Sequence, residues 1–105
     1  MKTREAKAVK SLDAKKDRPS LEETLSSRGK VRVLKVLAEM GELNISEIVR
    51  KAGLNYTTTN QHLRSLEKME IVKEKRFGKI RIYRFNAENP RAKAISQLIK
   101  QWDAY

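Results

Sequence analysis

The chain has 105 residues, with 24 Lys and Arg against 13 Asp and Glu, a net charge of +11, one His and no Cys. This composition excludes disulfides, a thiolate nucleophile, a Cys-based metal site and a His pair on a metal. No apolar run approaches the roughly 20 residues that span a bilayer, and charges interrupt the N-terminus too often for a secretory signal. We therefore expect a cytoplasmic protein that needs no cofactor. Its charge favours a polyanionic partner, either nucleic acid or an acidic membrane surface.

Two segments carry most of the surplus charge. Residues 1–20 have a net charge of +4 and residues 71–85 a net charge of +5, which leaves +2 for the rest of the chain. The first segment has few large apolar side chains beyond Val9 and Leu12, so it cannot bury enough surface to order its backbone. We predict a flexible basic tail over residues 1–20 and one folded domain over residues 21–105.

The first strong helical pattern covers Arg28–Met40. Ser27 is a suitable N-cap, and Gly41 supplies the stop. Apolar residues recur at three- and four-residue spacing at Val31, Leu34, Val36 or Leu37, and Ala38. Before this helix, Leu21–Leu25 predicts a short helical turn.

A short helix is expected next, after an extended link at Leu43–Ile45. We take Ser46 as its N-cap and Gly53 as its left-handed end. Its apolar face consists of Ile48, Val49 and Ala52.

A third helix runs from Tyr56 to about Met69, with Asn55 as its N-cap. The inward face is predicted to hold Tyr56, Thr59, Leu63 and Leu66. The opposite face then holds Thr57, Gln61, Arg64, Ser65 and Lys68, with Thr58 and Asn60 on its flanks and no acid. His62 lies at the border of the buried face, where a packing or capping role is more common than ligand binding.

The pattern then changes to the two-residue alternation of strands. Residues 71–77 and 79–85 predict a hairpin that turns at Gly78. On the second strand, Ile80, Ile82 and Arg84 share one face, and Arg81, Tyr83 and Phe85 share the other.

A final helix opens at Asn89, with Pro90 at its first position. It carries an apolar stripe of Ile95, Leu98, Ile99 and Trp102. The stripe either covers its own core or pairs with a second copy. We expect a dimer interface, because three earlier helices already fill the core of so small a domain.

These elements predict a mainly α protein with a small β-hairpin (α+β), namely a winged helix-turn-helix with an additional C-terminal helix. In that geometry the helix from Tyr56 enters the major groove of double-stranded DNA, and the basic hairpin, or wing, meets the backbone or the minor groove. The candidate DNA-binding residues are Thr57, Thr58, Asn60, Gln61, Arg64, Ser65 and Lys68 on the helix, and Lys75, Arg76, Lys79 and Arg81 on the wing. Helix capping by the threonines and protection of an edge strand by the lysines are the alternative interpretations.

The segments 45–48, 56–67 and 71–72 read ISEI, YTTTNQHLRSLE and IV. Here the chain, over about residues 27–105, resembles the ArsR winged-helix repressors of archaea and bacteria, with MarR-type regulators as neighbours. The resemblance implies that the polar start of the helix, at Thr57, Thr58, Asn60 and Gln61, faces DNA. It also implies that the first and last helices build a homodimer. Met69 and Glu70 stand where the family commonly has a small residue and Gly, and the metal-sensing Cys pairs and His/Asp clusters are missing.

We therefore expect a dimeric, sequence-selective DNA-binding transcriptional regulator located in the cytoplasm on the nucleoid. A chromatin-type protein that coats DNA without preference and a winged helix that binds other proteins remain as alternatives. An enzyme is not expected, since no motif places a nucleophile beside a base or cradles a phosphate. A membrane partner is not expected either, because the tail lacks an adequate apolar face. The sequence leaves the operator, the effector and the direction of regulation open.

Overall fold

A computed structural model describes residues 20–105, and within that range it contains five helices and a three-stranded antiparallel sheet. The elements are α1 (Leu21–Thr24), α2 (Arg28–Met40), β1 (Leu43–Asn44), α3 (Ile45–Ala52), α4 (Tyr56–Lys68), β2 (Val72–Phe77), β3 (Ile80–Phe85) and α5 (Pro90–Asp103). The predicted class, a mainly α winged helix-turn-helix with an extra C-terminal helix, is confirmed. The predicted flexible tail lies outside the described residues except for Ser20.

Side-chain caps define most of the helix starts. Ser27 accepts a hydrogen bond from the backbone N–H of Lys30, and Asn55 accepts one from that of Thr58. Asn89 caps α5 in the same way, with Pro90 following it. These three predicted starts are confirmed, because each cap satisfies an N–H group that has no partner inside the helix.

The predicted start of α3 was wrong. Asn44, not Ser46, is the N-cap, and its Oδ1 accepts from the backbone N–H of Glu47 at 2.9 Å. Asn44 is held in extended conformation because it pairs with Ile82 of β3. The helix consequently begins at Ile45, and Ser46 lies exposed in its first turn.

The helix-turn-helix consists of α3 and α4 joined by a tight turn. Gly53 ends α3 in the left-handed conformation at φ 67°, and Asn55 already caps α4. Both helices pack against α2. This packing fixes the direction in which α4 presents its outer surface.

The hairpin turns through the two residues Gly78 and Lys79, so that Phe77 pairs with Ile80. Gly78 has a φ of 62°, which a residue with a Cβ rarely adopts. The pairing gives the hairpin two faces. The inner face carries Val72, Glu74, Arg76, Arg81, Tyr83 and Phe85, and the outer face carries Lys73, Lys75, Phe77, Ile80, Ile82 and Arg84.

The core lies between the helices and the inner face of the hairpin. Its most buried members are Val33, Leu34, Leu37, Ile48, Leu63, Leu66, Ile71, Val72, Tyr83 and Ala92. Two residues of the apolar patterns lie outside the core, and the predicted inward position of Tyr56 was wrong. Val31 is only half-buried, since Val33 takes the inward position on α2, and Tyr56 is 50% exposed because it begins α4 and extends towards the hairpin.

Within residues 20–105, no helix combines the length and the apolar character needed to cross a membrane.

Candidate nucleic-acid interface

The outer surface of α4 is polar and open to solvent. Its exposed members are Thr57, Gln61, Arg64 and Lys68, and Thr58 and Asn60 are half-buried at its flanks. All six positions agree with the predicted arrangement. Gln and Arg are side chains that read base edges in a groove, and Thr and Lys are suited to phosphate contacts.

Ser65 does not face outward as predicted. Its hydroxyl is half-buried and accepts a hydrogen bond from the Nζ of Lys30 at 3.2 Å. Lys30 is itself buried and also donates to the backbone carbonyl of Glu23 at 3.1 Å. Lys30 therefore connects α1 to α4, and the hydroxyl of Ser65 already has a hydrogen-bond partner inside the domain.

The outer surface of α4 is also not free of acids. Glu67 accepts from Arg64 at 3.4 Å, and the side chains of both residues are at least one-third exposed. Such an exposed pair contributes little to stability, so a phosphate or a base edge can replace the carboxylate as the partner of Arg64.

The hairpin tip presents cations. Lys75 and Lys79 are exposed, and Lys75 lies over the ring of Phe77 at 5.9 Å from its centroid. Arg76 is half exposed and contacts Glu74, with Nε 3.1 Å from Oε1. Three of the four predicted wing residues are therefore accessible at or near the turn.

The fourth, Arg81, occupies a different environment. Its side chain is only 13% exposed, and its Nε donates to the Glu74 Oε2 at 2.7 Å. Its other nitrogens donate to the Tyr56 hydroxyl at 3.0 Å, to the Asn60 Oδ1 at 2.9 Å and to the Tyr83 hydroxyl. The prediction of Arg81 as an accessible cation was wrong, because its guanidinium is taken up by partners inside the domain.

We call this set of residues the latch: Tyr56, Asn60, Glu74, Arg81 and Tyr83. Burial alone would raise the pKa of Glu74, but hydrogen bonds from Arg81, Tyr83 and Arg76 outweigh it and lower the pKa to about 2. Burial and the hydrogen bond to Glu74 raise the pKa of Tyr83 to about 12. The latch at neutral pH is therefore a charged Arg–Glu pair with a neutral tyrosine donating to the carboxylate at 2.7 Å.

The latch fixes the amide of Asn60. A guanidinium has only donors, so it must meet the amide oxygen of Asn60, and the NH2 group is left for another partner. Asn60 can thus offer a donor to DNA, whereas the two-point contact of an Asn with adenine also needs the oxygen as an acceptor.

Sequence reasoning missed three latch members, namely Tyr56 as a polar contact, Glu74 and Tyr83. The sequence did contain one signal for the contact between Glu74 and Arg81. A two-residue turn at Gly78 and Lys79 sets Glu74 opposite Tyr83 and diagonal to Arg81, so the register alone places the only acid of the wing beside an arginine.

His62 is half-buried beside α2. A Cβ on Gly29 would lie 2.7 Å from its Nε2, so Gly29 provides the space for the imidazole. Burial, together with the charge of Lys30, lowers the pKa of His62. Within residues 20–105, no three His, Cys, Asp or Glu side chains come together as a metal site would require.

The apolar stripe of α5 divides into two parts. Ile95 and Ile99 are buried in the domain's own core, whereas Leu98 is 48% exposed and Trp102 is 77% exposed. The interface of all four residues stays a prediction, in which Ile95 and Ile99 contribute little exposed surface because α5 packs against α2. The exposed pair borders an apolar groove of about 230 Å³ that Val31, Leu34 and Lys35 of α2 also line.

A helix-turn-helix whose second helix is polar and exposed, followed directly by a basic hairpin, defines the winged-helix class of DNA-binding proteins. The family model described as "Bacterial regulatory protein, arsR family" matches residues 27–74. Residues 27–74 therefore resemble the helix-turn-helix of that family, and the chain is a sequence-specific DNA-binding transcriptional regulator.

Solved structures agree with this assignment. The transcriptional repressor PagR of Bacillus anthracis is 25% identical, with a TM-score of 0.62 over 73% of this chain and 85% of PagR. The transcriptional repressor BigR from Xylella fastidiosa shares the fold at 24% identity and a TM-score of 0.68, over 93% of this chain and 90% of BigR. The homodimeric winged helix-turn-helix domain of Mb0332 from Mycobacterium bovis shares it at 24% identity and a TM-score of 0.61, over 78% and 70% of the two chains. No curated protein sequence matches the chain.

Proposed function

We propose that this regulator binds DNA as a homodimer, without catalytic activity, with α4 of each subunit in the major groove and each wing tip on the adjacent backbone or minor groove. The observation that carries the proposal is the exposed polar surface of α4, which lies beside a basic hairpin. Arg81 connects the hairpin to α4 through hydrogen bonds to Tyr56 and Asn60. As a DNA-binding regulator it would act in the cytoplasm, on the nucleoid.

Gln61 and Arg64 are the proposed base readers. Both are exposed near the middle of the outward surface of α4, and each can make two hydrogen bonds to one base. Thr57, Thr58, Lys68 and the free NH2 of Asn60 are proposed to hold phosphates or single acceptors on bases. Ser65 and Arg81 are left out of the contact set because their polar groups have partners within the domain.

The wing is proposed to grip phosphates through Lys75, Arg76 and Lys79. Each phosphate contact releases counterions, so affinity should fall with salt as log K against log[salt] with a slope of about −0.9 per contact. These contacts position the protein, and α4 supplies the sequence preference.

The proposed dimer joins two copies through Leu98 and Trp102 over the groove between α2 and α5. Exposed apolar side chains beside an apolar groove are the kind of surface that a second copy covers. The homodimeric state of the Mycobacterium bovis neighbour supports this choice. A two-fold dimer would place the α4 helices about 34 Å apart and select a palindromic site.

Selection of bound duplexes from a random DNA pool tests the proposal. We expect a palindromic consensus, and we expect Gln61→Ala or Arg64→Ala to reduce the preference for it by about tenfold or more while affinity for random DNA is kept. Lys93→Ala, which removes an exposed cation from α5, is the control and should leave the preference unchanged. Equal affinity for every duplex would favour a chromatin-type protein instead.

Sedimentation of the free protein tests the dimer separately. Leu98→Ser with Trp102→Ser should shift the chain from dimer to monomer, and Met40→Ser, at another exposed apolar residue, should not. A wild-type protein that sediments as a monomer at all concentrations would contradict the proposed interface.

A further inference from the structure

Two large apolar side chains stand exposed at the tip of the wing. Phe77 and Ile80 are cross-strand partners that flank the turn, and they are 57% and 54% exposed. Single exposed apolar residues are ordinary on protein surfaces. These two are adjacent and lie on the outer face of the hairpin. They form its turn end, and the buried Val72 lies at the opposite end of β2.

Cations surround this apolar pair. Lys79 lies in the turn, Lys75 lies over the Phe77 ring, and Arg76 precedes it. The only acid of the wing, Glu74, is on the inner face and is bound to Arg81. An apolar tip bordered by positive charge on β2 and in the turn complements a groove whose floor consists of base edges and whose two walls carry phosphates.

The latch fixes the tip relative to α4. Arg81 lies directly after Ile80 on β3, and it binds both Tyr56 and Asn60 at the start of α4. The hairpin and α4 would therefore approach DNA as one unit, and a duplex that receives α4 in its major groove would bring the tip to the adjacent backbone or minor groove.

We propose that Phe77 and Ile80 form an apolar wedge that enters this minor groove and partly unstacks one base step. This inference rests on the proposed function, since it requires α4 to be docked in the major groove. Apolar wedges in other minor-groove proteins bend the duplex by about 20–90°. Pyrimidine–purine steps yield most easily, so TA or CA steps should be enriched where the tip lands.

Fluorescence of 2-aminopurine measures unstacking directly. The probe is the duplex recovered from the random pool, with 2-aminopurine in place of one adenine at a time across the site and its flanks. We expect the wild-type protein to raise the fluorescence several-fold at one flanking step in each half-site. Energy transfer between dyes on the two duplex ends should show bending in the same complexes.

Variants separate the wedge from the phosphate contacts. Phe77→Ala with Ile80→Ala should abolish the fluorescence rise and lower affinity about tenfold, because the apolar surface buried in the groove is lost. Lys79→Ala should keep the fluorescence rise, make the salt dependence of binding shallower, and lower the affinity for all duplexes in parallel. Met40→Ala, which removes a comparably exposed apolar side chain far along the chain, is the control and should behave as wild type.

Three results would overturn the wedge. Sequence-selective binding with no fluorescence rise at any step, and with full affinity in the double variant, would reject it and leave the proposed function intact. Lack of preference for any duplex would reject both. Loss of binding to phosphatidylserine-containing vesicles in the double variant, with DNA binding unchanged, would assign the tip to a membrane surface.

Discussion

Both faces of the hairpin carry cations, but the surroundings of Arg81 on the inner face differ from those of the lysines on the outer face and in the turn. On the inner face, Arg81 is nearly buried and donates to four side chains, and the carboxylate of Glu74 is held between two arginines and a tyrosine. On the outer face and in the turn, Lys75 and Lys79 are exposed. The inner arginine contributes to the fold, and the outer lysines are available to a ligand.

This difference shows that a count of cations overstates the grip that a wing can exert on DNA. The segment 71–85 holds six cations. Arg81 is engaged in the latch, Lys73 lies 3.5 Å from Glu88, and Arg84 is half-buried. Lys75, Lys79 and the half-exposed Arg76 are the three that remain most accessible.

The largest expected effect is on stability, and it comes from removing the guanidinium of Arg81 from the inner face. Arg81→Met keeps the aliphatic stem but leaves the buried Glu74 carboxylate without its main partner and the Asn60 oxygen without a donor. We expect a loss of about 3 kcal/mol in the free energy of unfolding, measured by urea denaturation. Lys79→Met, its counterpart in the turn, should change it by less than about 0.5 kcal/mol.

A double variant sharpens this test. If the cost arises from an unpaired carboxylate, Glu74→Gln should recover much of the stability lost in Arg81→Met. Additive losses in the double variant would contradict the idea that the two residues act as a pair.

The second-largest expected effect is a loss of stability at acidic pH, caused by protonation of Glu74. Because the pKa of Glu74 in the folded protein, about 2, lies below its usual value of 4.5, its contribution is fully present above pH 4.5 and is lost as the pH falls towards 2. We expect about 2 kcal/mol of unfolding free energy to disappear over this window, from urea titrations at a series of pH values.

Glu74→Gln should flatten this part of the pH profile. Glu88→Gln is the matched control, since the carboxylate of Glu88 is 83% exposed and its ion pair with Lys73 is long. A profile that is as steep in Glu74→Gln as in the wild type would show that other carboxylates cause the acid sensitivity.

Local chemistry predicted the elements well, because caps and turns are decided by neighbouring residues. Ser27, Asn55 and Asn89 each cap the helix that follows, and Gly53 ends α3 in the left-handed conformation. The choice between Asn44 and Ser46 was different, since both are good N-caps. It was decided by the pairing of β1 with β3, which is a contact between distant parts of the chain.

The candidate site shows the same division. Exposure of Thr57, Gln61, Arg64 and Lys68 follows from helical periodicity, which the sequence displays. The inward turn of Arg81 and the outward position of Tyr56 depend on the angle at which the hairpin meets α4. The contact of Arg81 with Tyr56 and Asn60 joins distant parts of the chain, and no local pattern encodes it.

The smallest expected effect concerns the outer face and the salt dependence of DNA binding. Lys79→Ala should make the slope of log K against log[salt] shallower by about 0.9, and affinity for random and selected duplexes should fall in parallel, because a phosphate contact carries no sequence information. Lys73→Ala, on the outer face and paired with Glu88, should change the slope less. Fluorescence anisotropy titrations at several salt concentrations measure both. An equal change of slope in the two variants would contradict this prediction. It would mean that the accessibility of a wing cation does not determine whether it contacts phosphate.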